Sequence, residues 1–130
     1  MTGTGTFRID FEIENPAQPG YHRLVRQAVV DAAAELSWIP SEVLDELGVD
    51  RRKMWNFRQP NGTVQSRWTG GVSLYVDGVW TVDEVVFGEM SDDVLLGARS
   101  LAGLNLRVDP VSMRLVDAGP ATTAALASTA

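Results

Sequence analysis

The sequence predicts a mainly β domain with one or two short helices, on three observations. Phe7, Ile9, Phe11 and Ile13 alternate with Arg8, Asp10 and Glu12, the period of two that a half-buried strand requires. Asn61-Gly62 and Asp77-Gly78 are dipeptides that tolerate the positive φ of tight hairpin turns. The apolar runs are short, and strand-sized and helix-sized segments do not alternate as they must to build a parallel βαβ sheet.

Taken in order, the first strand ends at Asn15-Pro16-Ala17-Gln18-Pro19-Gly20, where proline removes a ladder donor and Gly and Asn suit a turn. A second strand over about residues 23–30 should return antiparallel to the first. The stretch from Val29 to Ile39 is apolar except for Asp31, Glu35 and Ser37. After Pro40, Ser41 is placed to cap a two-turn helix, with Glu42 in its first turn, Val43, Leu44 and Leu47 on one face and Gly48 closing it. Two hairpins follow. The second has the stronger flanks, since Val72, Leu74 and Val76 alternate before it and Val85-Val86-Phe87 continue after it as a buried run. Beyond an acidic loop at 89–93 come Val94-Leu95-Leu96, a helix over 98–102 ended by Gly103, and a strand pair, 104–108 with 113–116, turning at Asp109-Pro110. Residues 1–5 are expected to be a flexible N-terminus and the Ala/Thr-rich residues 119–130 a disordered tail, leaving a domain over 6–118.

Composition narrows the function classes. With 130 residues, 45% of them hydrophobic and 22% charged, the chain can support one core. A net charge of -6 disfavours nucleic acid, whose affinity depends on clustered cations, and Arg51, Arg52 and Lys53 read as a solvated corner past a helix end. Without cysteine there are no disulfides, thiolate metal sites or thiol nucleophiles. His22 is the only histidine, so neither a Ser-His-Asp triad nor a histidine metal site is expected, and the acidic loop lacks the ligand spacing of a calcium loop. No leader or membrane-length apolar run stands out, so a cytoplasmic, soluble protein without membrane partners is expected.

Asp31 is the residue with chemical promise, because an ionised carboxylate among Val29-Val30 and three alanines is costly unless it is paired or hydrogen-bonded. Two readings compete: a structural aspartate bonding backbone N–H groups of a turn, and a catalytic acid. A resemblance bears on the choice. Val29-Val30-Asp31-Ala32-Ala33-Ala34-Glu35-Leu36-Ser37-Trp38-Ile39-Pro40 and the helix after it form a first block. Val86-Phe87-Gly88-Glu89 through Val94-Leu95-Leu96-Gly97-Ala98-Arg99-Ser100-Leu101 form a second, and Gly103-Leu104-Asn105-Leu106-Arg107-Val108 through Arg114-Leu115-Val116 a third. In order and spacing, over roughly residues 7 to 117, these resemble the bacterial single-domain retropepsin-like aspartic proteases.

That resemblance implies a closed β fold and a homodimer in which each chain supplies one catalytic aspartate, Asp31. Two carboxylates about 3 Å apart cannot both ionise, so the pair would share a proton, activate a water and polarise the scissile carbonyl of a peptide or protein substrate, with no cofactor or metal. The hairpin from Phe57 to Trp68 falls where the family has its flap, with its tip at Pro60-Asn61-Gly62. The implied substrate contacts are Ala33, Glu35, Gln59, Asn61, Gly62 and Thr63, with Arg99 as ionic partner of Glu35, while Trp38, Trp55, Trp68 and Trp80 are expected to fill core and interface. The chain departs from the family at the triplet itself, carrying Asp31-Ala32-Ala33 where relatives carry Asp-Thr-Gly or Asp-Ser-Gly. Ala32 cannot make the hydroxyl bonds that clamp the two loops across the dimer axis, at about 1 kcal/mol each, and Ala33 adds a methyl group and resists positive φ. A peptide-binding pseudoprotease and a small-molecule acid–base enzyme on the same scaffold are the alternatives.

Overall fold

The computed structural model describes residues 7–123. In chain order the elements are β1 (Arg8–Glu14), β2 (His22–Val30), β3 (Ser37–Pro40), α1 (Ser41–Glu46), β4 (Lys53–Arg58), β5 (Val64–Val76), β6 (Val79–Gly88), β7 (Leu95–Leu96), α2 (Ala98–Leu104), β8 (Leu106–Asp109) and β9 (Arg114–Asp117). The mainly β expectation holds.

β1 behaves as its alternation demands: Phe11 and Ile13 are buried while Arg8, Asp10 and Glu12 face solvent. It pairs antiparallel with β2 from Arg8↔Val29 to Glu14↔His22, with a bulge where Arg26 and Gln27 oppose Asp10. Gln27 holds a positive φ of 56° there, secured by its N–H donating to Asp10 Oδ1 (2.8 Å) and its carbonyl accepting from Arg8 (3.0 Å).

The strands are ordered β1-β2-β7-β3-β6-β5-β4, and β1 also pairs with β5 through Ile13↔Leu74, so six strands close into a ring with β4 outside it. Two pairings in the ring are parallel, β2 with β7 and β3 with β6. β5 serves two structures. Its first part pairs with β4 (Arg58↔Val64 to Lys53↔Thr69), and its second with β6 (Thr69↔Val86 to Val76↔Val79) around a turn whose Asp77 and Gly78 have φ of 48° and 80°, as a type I′ hairpin requires. At the changeover Gly70 lies so close to its neighbours that a Cβ there would meet the Asp50 carbonyl, Phe87 and Val49.

The ring encloses the main core, with Ile13, Val30, Ile39, Val72, Leu74 and Leu96 among its fully enclosed side chains and α1 and α2 contributing Leu44, Leu101 and Leu104. A second, smaller cluster lies outside the ring under the β4–β5 hairpin: Leu36, Trp38 and Val86, covered by Trp55, Phe57 and Leu95.

Several boundaries differ from expectation. Pro40, not Ser41, is the N-cap of α1, because its extended backbone ends β3, and no side chain caps the helix. The other end is as expected: Gly48 takes a φ of 72°, its N–H bonds to the Asp45 carbonyl and that of Val49 to the Leu44 carbonyl. α2 runs through Gly103 to Leu104, and the left-handed residue that ends it is Asn105 at φ 55°. Gly103 is needed for packing instead, since a Cβ there would collide with the Thr81 hydroxyl. Leu104 is therefore helical, and Met113, at φ 55°, belongs to the turn before β9. Trp68 and Trp80 are 42% and 55% exposed and fill no core, because they lie on the outer sides of the hairpin and of β6. Residues 1–5 lie outside the described residues, as do 124–130. Of the expected tail, 119–123 carry no regular structure, although Gly119 donates to Asp117 and accepts from Asn105. No helix among the described residues is long and apolar enough to cross a membrane.

Candidate functional site

Asp31 opens the loop 31–36 between β2 and β3, and the far end of the chain holds that loop in place. The Asp31 N–H donates to the Leu96 carbonyl (2.9 Å), the Ala98 N–H to the Ala34 carbonyl (2.7 Å) and the Arg99 N–H to the Glu35 carbonyl (3.0 Å). Gly97 makes this approach possible, because a Cβ there would collide with the carbonyls of Leu36 and Ala34. Beneath it runs a buried chain of hydrogen bonds: the Gly97 N–H donates to Ser37 Oγ (2.9 Å), Ser37 to Ser100 Oγ (2.6 Å), and Ser100 to Asp83 Oδ2 (2.6 Å). Asp83 is satisfied again by the Glu84 N–H at 2.8 Å, so every group in this polar seam has a partner.

Half-buried Asp31 accepts the Ala33 N–H at Oδ1 (2.9 Å), the turn-bonding arrangement that a structural aspartate makes. Its Oδ2 has no hydrogen-bond partner among the described residues, and Asp31 is one of the residues that line a cleft. Ala32 and Ala33 are exposed, and neither has a positive φ, so their methyl groups sit without the backbone strain expected of Ala33.

The cleft has a volume of about 660 Å³. Its floor is the loop 31–36, all but Ala32, with Trp38 and Leu95; one wall is the hairpin, through Phe57, Arg58, Gln59, Pro60 and Gln65, and the other is the loop carrying Ser91, Asp92 and Asp93. Of the residues singled out from the sequence, Asp31, Ala33, Glu35 and Gln59 line it, whereas Asn61, Gly62 and Thr63 form the hairpin tip and are not part of the lining. Asn61 stabilises its own turn, its Oδ1 accepting from the Thr63 N–H (3.0 Å) and hydroxyl (2.7 Å), while Gly62 adopts a φ of 89°. The Gln59 amide donates to Gln65 Oε1 at 2.9 Å, across the base of that turn.

Charge is organised around the aromatic cluster. Glu35 pairs with Arg99 at 3.3 Å in an exposed contact worth less than about 1 kcal/mol. Arg99 also reaches Glu84 (3.3 Å), which accepts the Thr69 hydroxyl (2.6 Å) and the Trp55 indole N–H (3.0 Å). These donors, the Thr69 hydroxyl foremost, hold the Glu84 carboxyl below the ordinary range against the opposing effect of burial. Asp92 is held low likewise, chiefly by the Arg67 guanidinium.

Sequence reasoning missed the Arg67–Asp92 ion pair, the aromatic floor of Trp38 and Phe57 at 5.0 Å between ring centroids, and the Ser37–Ser100–Asp83 seam. Alternation over residues 65–69 could have placed Arg67 on the same side as Gln65, but not opposite Asp92. The acidic loop that carries Asp92 serves an arginine, and no group of three or more His, Asp or Glu among the described residues is arranged to hold a metal. No protein-family model matches the chain, and no curated protein sequence matches it.

Proposed function

We propose that this chain is a retropepsin-like domain that pairs with a second copy of itself and hydrolyses peptide bonds, each subunit supplying Asp31. The observation that carries the reading is the site's construction: an aspartate whose second carboxylate oxygen has no partner among the described residues, on a loop locked from below, lines a cleft walled on one side by a β-hairpin. In the dimer the two Asp31 side chains would share one proton, the ionised member taking a proton from water as it attacks and the protonated member polarising the carbonyl. The hairpin would act as the flap, and its tip at 60–63 would come to the peptide backbone only on closure, which accounts for the absence of Asn61, Gly62 and Thr63 from the lining of the open cleft.

The exposed Ala32 and Ala33 favour a second reading, in which the same groove binds an extended peptide with little or no turnover. The tests are cleavage of an unstructured protein between about pH 4 and 7, where a carboxylate pair sharing a proton operates, and the mass of the protein in solution. The protease reading expects a dimer, cleavage lost in Asp31→Asn, and faster cleavage in Ala32→Thr/Ala33→Gly. A monomer with no gain in the double variant overturns it, and saturable peptide binding without turnover selects the second reading.

A further inference from the structure

The best-satisfied ion pair in the cleft walls has no part in the chemistry proposed for Asp31. Arg67 lies on β5 at the root of the hairpin, and its Nε and one terminal nitrogen donate to both carboxylate oxygens of Asp92, at 2.7 and 2.9 Å. Its remaining donors reach the Ser66 carbonyl (2.9 Å) and Gln65 Oε1 (3.3 Å), while Asp92 Oδ2 also takes the Glu89 N–H at 2.7 Å. The two side chains are only 10% and 8% exposed, so this planar, two-point contact is held out of water at the meeting of the two cleft walls.

The same guanidinium stands 3.7 Å from the exposed Glu89 carboxylate, and apart from Arg67 no hydrogen bond or ion pair among the described residues joins the two walls. The loop 89–93 makes its backbone bonds within itself, Asp92 to Glu89, and Val94 is bonded to β2. On the hairpin side, the aromatic packing that anchors the arm stops at Phe57, which meets both Trp38 and Trp55, and residues 58–64 are almost all exposed. The arm is therefore fastened at Phe57 on one strand and at Arg67 on the other, with a free tip beyond.

We infer that Arg67 and Asp92 form a latch that fixes the root of the hairpin against the loop 89–93, leaving residues 58–64 as the part that closes over an extended peptide. The latch is a positioning device. It sets how wide the cleft stands and how firmly a peptide is held, and leaves the proton transfers at Asp31 alone. This rests on the peptide-site reading above only for the identity of the occupant.

Amide hydrogen exchange tests the latch independently of any activity. In Asp92→Asn and in Arg67→Lys, which keeps the charge and loses the fork, amides of residues 54–57 and 65–68 should exchange about tenfold faster, while those of 72–76 inside the ring stay unchanged. Because removing one partner can destabilise the whole chain, Arg67→Met/Asp92→Leu is the decisive variant: it restores burial without the fork and should melt near the parent temperature yet still show the faster hairpin exchange. Hairpin exchange unchanged in that variant overturns the latch, and so does acceleration spread equally over residues 72–76. If the parent turns peptide over, KM for an unstructured peptide should rise about tenfold in Arg67→Lys with kcat within about twofold, and a fall in kcat at constant KM also overturns the inference. If the parent neither cleaves nor binds peptide, the protease reading fails by itself and the exchange result still decides the latch.

Discussion

The closed ring and the hairpin arm share one strand, β5, yet they are held together by different forces. Inside the ring, Leu74, Ile13 and Leu96 are fully enclosed by other apolar side chains, and burial of area does the stabilising. Under the arm, the buried hydrophobic residues of the cluster are Leu36, Trp38 and Val86; the covering rings of Trp55 and Phe57 are half-exposed, and Arg67, Asp92, Glu84, Arg99 and the fully buried Thr69 surround them. Apolar burial is non-directional and insensitive to pH, whereas the arm depends on aimed hydrogen bonds and on the protonation of two carboxylates. The ring should behave as one cooperative unit and the arm as a region that opens locally, which would suit the wall of the peptide groove proposed above.

Mutation can sharpen that contrast. Leu74→Ala, which empties the middle of the ring, should cost about 3 kcal/mol and lower the melting of the whole chain, read as a single transition by circular dichroism and tryptophan fluorescence together. Two separated transitions would break the comparison. Gly97→Ala should cost about 2 kcal/mol, because the new methyl meets two backbone carbonyls that are tied down by α2. Its signature is local, with faster exchange at Asp31 and Ala98. Phe57→Ala should cost about 1 kcal/mol and speed exchange in the arm alone, since the ring it removes is only half-buried.

The response to acid is smaller still and should be confined by region. Asp92 and Glu84 have carboxyls held below their ordinary values in the folded chain, so each contributes stability that is complete above the ordinary carboxylate range and is lost as pH falls through the depressed folded value. Both sit under the arm. Lowering the pH from about 5 towards 2 should therefore loosen arm amides before ring amides, and Asp92→Asn should flatten that dependence. Simultaneous loosening of both regions would show that the carboxylates of the ring, such as Glu14 with its Tyr75 bond at 2.6 Å, carry as much of the acid response.

The two regions were not equally legible in the sequence. Ring strands announce themselves locally: the alternation in residues 7–13, the paired positive φ values at Asp77-Gly78 and the left-handed Gly48 all depend on neighbours in the chain. The Asp31 turn was legible too, because an aspartate amid alanines has few local partners besides backbone N–H groups. What could not be read were features decided by residues far apart. Gly103 looked like a helix stop and is a contact surface for Thr81. Gln27 has no compositional mark of a bulge, since Arg8 and Asp10 on the neighbouring strand hold its φ. Arg67 and Asp92 lie 25 positions apart, and only the finished fold brings them together.

The locking of the loop 31–36 by residues 96–99 also fixes when the site can exist. Glu35 waits for Arg99, 64 positions further on, and the parallel pairing of Val29 with Leu95 spans a similar stretch, whereas β4, β5 and β6 fold back on one another through short turns. Contacts that close long loops form late and slowly. On a ribosome, then, the meander of β4, β5 and β6 can take shape while the Asp31 segment is still untethered. The loop that carries Asp31 is tied down only once the second helix has left the exit tunnel, a built-in delay between making the carboxylate and fixing its place.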